Sequence, residues 1–67
     1  MASAPEASQL THREAEILGK LAEGSLYKEI AADLGVSYAT VRTHVERIYQ
    51  YLHVRSRAQA VAKMARR

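Results

Sequence analysis

The sequence predicts an all-α fold, a four-helix domain containing a helix-turn-helix, and three observations carry that reading. Apolar residues recur at helical spacing in four separate stretches. Thr11, Ser37 and Ser56 stand where helices would begin, and Gly24 and Gly35 stand where they would end. No stretch alternates apolar and polar residues in the manner of a half-buried strand.

The first helix opens at Thr11, with Glu14 three residues on in capping-box spacing and Leu10 placed to staple the first turns. Ile17, Leu18, Leu21 and Ala22 form its apolar side, and Gly24 stops it. A short second helix follows, with Ile30, Ala31 and Leu34 on one face and Gly35 supplying the positive φ of a tight exit. Ser37 caps a third helix that runs to about Leu52, with Val41, Val45, Ile48 and Leu52 facing inward. "HVRSRAQ" breaks that pattern. Ser56 and Gln59 then repeat the capping-box spacing and start a last helix over Arg57 to about Ala65. His44 shares the spacing of Val41 and Ile48 and is expected to pack; Tyr49 and Tyr51 lie on different faces, so at most one joins the core.

Sixty-seven residues allow one domain, and a chain of that size buries only about 60% of its unfolded surface. Residues 1–9, small and polar with Pro5, read as a flexible tail or linker remnant, which leaves 10–67 as the domain. Without cysteine there is neither a disulfide framework nor a thiolate metal site, which suits a cytoplasmic location. No apolar run approaches the roughly 20 residues that cross a bilayer, and "MASAPEAS" is not built like a signal peptide. His12, His44 and His53 sit on different elements, so no metal site and no cofactor is expected. An enzyme is excluded on the same footing: no nucleophile has an evident base, and no glycine loop could cradle a phosphate.

Charge is informative through its distribution. The net charge is +3, but the acids gather in the first half while Arg42, Arg47, Arg55, Arg57, Lys63, Arg66 and Arg67 crowd the second. Such a basic side suits a polyanion.

The stretch from Tyr27 to Glu46 is where spacing becomes specific. Two helices crossing at a turn of a few residues need a small residue at closest approach, a left-handed residue in the turn and a branched plug. Ala31, Gly35 and Val41 meet those needs in order. If the unit binds DNA, the second of its helices lies in the major groove with its outward N-terminal residues at base edges. Arg42 can present a fork to guanine, Thr43 its methyl to thymine, and Glu46 can accept from cytosine or simply pair with Arg42 at i,i+4. Ser37 and Thr40 suit phosphate oxygens, Arg47 a backbone strand, and Tyr38 either packs on the sugar-phosphate or covers the turn.

"LTHREAEILGKLAEG", "KEIAADLGVSYATVRTHVERIYQYLHV" and "SRAQAV" cover residues 10–61 almost without a gap. In that order they resemble the DNA-binding domain of LuxR/NarL-type (GerE-like) bacterial transcription regulators. The resemblance implies a response-regulator output domain that binds double-stranded DNA as a homodimer, the third helix in the groove and the fourth in the dimer contact. Carried over by position, Arg42, Thr43 and Glu46 face bases, and Lys28, Thr40 and Arg47 serve as phosphate or groove-edge contacts. Ala60, Val61 and Met64 become the dimer face, unless they complete the core. RNA polymerase is a further partner to consider. The rival reading is a protein-docking helix-turn-helix, sigma-factor-like, with little DNA reading of its own. Two departures carry structural expectations. Leu26 replaces the usual hydroxyl cap, which deprives Glu29 of its capping-box partner, a cost of about 1 kcal/mol. His53 occupies a C-terminal position where glycine is usual.

Overall fold

The computed structural model describes residues 10–65; the tail expected over 1–9 lies outside the described residues. Four helices follow one another: α1 (His12–Ala22), α2 (Tyr27–Leu34), α3 (Tyr38–Leu52) and α4 (Arg57–Ala65). The third touches each of the other three, so it forms the spine of the domain.

Local chemistry sets the helix starts. Thr11 and Glu14 close a complete capping box: the Glu14 N–H donates to Thr11 Oγ1 at 3.0 Å and the Thr11 N–H to Glu14 Oε1 at 3.2 Å. Ser37 Oγ accepts from the Thr40 N–H at 3.0 Å and begins α3. At α4 the Gln59 N–H donates to Ser56 Oγ, while the Gln59 side chain reaches back to the Arg55 N–H at 2.7 Å. Leu26 cannot accept with its side chain, but its N–H still donates to Glu29 Oε1 at 2.8 Å. The expected loss at α2 is therefore half a loss. Glu29 keeps its capping role, since that half of the box needs only the backbone of residue 26.

Three helices end in the same way. Ser25 N–H returns to the Lys20 carbonyl, Val36 N–H to Ala31, and Val54 N–H to Tyr49, each over 3.0–3.1 Å. These are Schellman closures, which need a left-handed residue one position earlier. Gly24 (φ 89°) and Gly35 (φ 70°) fill two of those positions without cost, whereas His53 (φ 60°) fills the third with a Cβ in the way. Lys63 reinforces this end from α4, donating Nζ to the Leu52 carbonyl at 2.7 Å. His53→Gly should therefore stabilise the domain by about 0.5–1 kcal/mol, the left-handed strain less the added freedom of glycine in the unfolded chain. A thermal melt should show this as a rise of roughly 2–8 °C. A fall would mean that the imidazole contributes something that outweighs the strain.

The core is small and continuous: Ile17, Leu18 and Leu21 from α1, Ile30 and Ala31 from α2, Val41, Val45 and Ile48 from α3, and Ala60 from α4. Ala22, grouped with the apolar side of α1 on spacing, is exposed at the last turn, where no neighbour covers it. Leu34 and Leu52 pack at the margin of the core, as do Leu10, Val36 and Val54. Ala31 lies 8% exposed and Val41 is fully covered, so the small residue and the branched plug sit where the α2–α3 crossing requires them. Lys20 Nζ on α1 pairs with the Asp33 carboxylate on α2 at 3.2 Å and ties those two helices together at the surface.

Candidate nucleic-acid interface

The turn Gly35–Ser37 delivers α3 with Val41, Val45 and Ile48 pressed into the core. Helical geometry then dictates what remains outside. At about 100° per residue, Ala39, Thr43 and Gln50 point away from that stripe, while Arg42 and Arg47 occupy shoulders about 140° apart. All five are exposed, as are Ser37, Tyr38, Thr40 and Glu46. The fifteen residues of α3 extend about 22 Å, and a groove of about 12 Å width admits such a helix.

Each shoulder has its own electrostatics. Arg42 Nε lies 3.5 Å from Glu46 Oε2 in an i,i+4 pair, both side chains about two-thirds exposed. A pair so exposed contributes only tenths of a kcal/mol, so either member is readily taken by another partner. Arg47 turns the other way: its Nε lies 3.6 Å from Glu14 Oε2, across the α1–α3 junction. Between the shoulders, the Thr43 side chain makes no polar contact with the described residues. Ser37 Oγ donates to Thr40 Oγ1 at 2.9 Å, so the two hydroxyls expected at phosphates form one cap.

The Arg42 shoulder continues into an open groove lined by Leu26, Tyr27, Lys28, Tyr38, Tyr49 and Arg57, with no carboxylate in the lining. The rings of Tyr27 and Tyr38 are tilted by 51° with centroids 5.7 Å apart, which joins the start of α2 to the start of α3. Burial and then the neighbouring Tyr27 raise the Tyr49 phenol above its usual value, with Arg57 pulling the other way. Tyr49 accordingly keeps its proton at neutral pH. Lys28 and Tyr38, singled out separately in the sequence, share this groove; Arg57, Tyr27 and Tyr49 join them unforeseen.

Two further residues behave differently from expectation. Ala60, placed on the dimer face, is 0% exposed and belongs to the core. A side chain with no surface of its own has no area to offer a partner, which leaves, of the three, half-buried Val61 and Met64, 40% exposed. Glu14, read as a cap, is also the buried charged side chain of the described residues at 5% exposure. The signal for that was present: Glu14 stands at i relative to Ile17, Leu18 and Leu21 at i+3, i+4 and i+7, on the same inward stripe. His44 is half-buried, as its spacing suggested, with Nδ1 facing Glu14 Oε2 at 3.9 Å.

Residues 8–64 match the family described as bacterial regulatory proteins, luxR family. The chain is 47% identical over 64 residues to a probable transcriptional regulatory protein NarL of Mycobacterium tuberculosis, covering 96% of this chain and 30% of that protein. It is 42% identical over 57 residues to the spore germination protein GerE of Bacillus subtilis, 85% of this chain and 77% of that protein. The transcriptional regulatory protein DesR of Bacillus subtilis is 40% identical over 58 residues, 87% of this chain and 29% of that protein. The chain thus spans under a third of the length of the two longer relatives, NarL and DesR. With its four helices, its helix-turn-helix crossing and a match over almost all of its length, this chain belongs to the LuxR family of bacterial regulatory proteins.

Proposed function

We propose that the domain binds double-stranded DNA sequence-specifically, as the output module of a transcription regulator, with α3 in the major groove. The observation that carries this reading is the exposed face of α3, held rigidly by Val41, Val45 and Ile48 and presenting Arg42, Thr43 and Glu46 side by side. In this reading those three side chains face bases. Lys28, Ser37, Thr40 and Arg47 lie at phosphates and set the register, and Tyr38 runs along the sugar-phosphate strand. The names of the relatives, regulators of transcription among them, support the same assignment.

Two copies would pair through Val61 and Met64 on α4, which keep part of their surface exposed. Pairing sets two recognition helices about one duplex turn, roughly 34 Å, apart, so that inverted half-sites are read together. A single copy should bind weakly.

Affinity should fall steeply with salt, because each neutralised phosphate releases counterions and adds roughly −0.9 to the log–log slope. Lys28→Ala tests the phosphate assignment within that measurement. It should weaken binding to every sequence alike and flatten the slope by about one, since a lysine on phosphate carries no sequence information. Fluorescence anisotropy with duplex DNA at several salt concentrations reads both quantities. An unchanged slope would remove Lys28 from the interface, and binding indifferent to salt would remove the DNA reading altogether.

A further inference from the structure

We infer that Glu14, a residue of α1 outside the helix-turn-helix, is a positioning residue for Arg47 and so sets one shoulder of the DNA-facing surface. The inference rests on the proposed DNA reading and adds to it a residue that touches no DNA.

The geometry is specific. Glu14 is 95% covered yet ionisable, so its two oxygens need partners. Oε1 is taken by the Thr11 N–H at 3.2 Å, within the capping box. Oε2 points across to α3, where Arg47 Nε lies at 3.6 Å and His44 Nδ1 at 3.9 Å. The guanidinium is the nearer of the two partners of Oε2, and the buried His44 nitrogen makes no hydrogen bond among the described residues. Arg47 is engaged through Nε, and its side chain stays 67% exposed. An arginine held at Nε keeps both terminal nitrogens for an outside acceptor, and a planar fork that is already oriented loses less freedom when it binds. The carboxylate itself is fixed by the cap, which is fixed by α1. A rigid chain of contacts therefore runs from Thr11 through Glu14 to the outer face of α3. Arg42 has no such support: its partner Glu46 is on the same helix and as exposed as itself.

The test is a double-mutant cycle in DNA affinity, with Glu14→Gln and Arg47→Ala singly and together. Glutamine preserves the side-chain length and can still accept from the Thr11 N–H, but it removes the charge that holds the guanidinium. Glu14→Gln should weaken binding about 3- to 10-fold in the wild-type background, the scale of a partly lost side-chain preorganisation. In the Arg47→Ala background the same change should do nothing, since there is then no arginine to orient. Equal losses in both backgrounds would mean that Glu14 acts through the fold alone, and no loss or a gain in the wild-type background would likewise overturn the inference. A second readout needs no variant: the Arg47 Nε–H resonance of the wild-type domain should be resolved from those of the other arginines in free protein. A resonance averaged with the other arginines contradicts the pose even if Glu14→Gln fails to fold. If Arg47→Ala is silent while Arg42→Ala abolishes specificity, this inference fails and the DNA reading stands; if the wild-type domain ignores DNA, both fall.

Discussion

Arg42→Ala should leave the domain folded and make it nearly blind to its preferred sequence. The side chain is two-thirds exposed and, among the described residues, its one tie is the exposed pair with Glu46 at 3.5 Å, so its loss removes a few tenths of a kcal/mol from the fold at most. On DNA the same guanidinium is placed for a two-pronged bond to a guanine edge, a contact that discriminates by about 1–3 kcal/mol. That corresponds to roughly a 5- to 150-fold loss on the preferred site, with little loss on unrelated duplexes. Affinity for a preferred and a scrambled duplex, measured at one salt concentration, gives the ratio directly. Equal losses on both would make Arg42 a phosphate contact, and no loss on either would make it a solvated arginine.

Ile48→Ala should have the opposite signature, removing all binding by removing the fold. Ile48 is 0% exposed in the C-terminal half of α3, the helix that touches the other three. Truncating a buried isoleucine to alanine costs about 2–5 kcal/mol, the larger values where the cavity cannot collapse. A single core in so short a chain rarely supplies more than about 3–5 kcal/mol, so most of the stability goes with one side chain. Circular dichroism should show a large fall in the melting midpoint, with substantial unfolding at 37 °C. Specific and non-specific DNA binding should disappear together. A variant that melts near the wild type would mean that α3 is held by something other than this stripe.

The contrast between these two residues also explains what the sequence made legible. The helices came through because several local signals agreed at each boundary: Thr11 with Glu14, Ser37 before an apolar stripe, Gly24 and Gly35 at left-handed positions. The α2–α3 crossing came through because its steric needs fall on fixed spacings, Ala31, Gly35 and Val41. What did not come through depends on contacts between elements far apart in the chain. Nothing in the neighbourhood of Arg47 announces Glu14, 33 positions earlier, and reading Glu14 only as a cap hid its second oxygen. The groove that joins Lys28 to Arg57 is equally non-local. On α4, Ala60, Val61 and Met64 all looked apolar, and only the packing of α4 on α1 and α3 separates the buried alanine from its two partly exposed neighbours. At residue 26 the reading failed in the other direction. A missing hydroxyl suggested a lost capping box, yet the half made by Glu29 and the backbone persists.

The central claim is that the outward face of α3 reads base sequence, and selection from a random duplex pool at near-physiological salt tests it most directly. The wild-type domain should enrich an inverted repeat with half-sites about one helical turn apart, and the Arg42→Ala domain, equally folded, should lose that enrichment. A pool that emerges without any preferred sequence, from a domain shown to be folded, would contradict the claim.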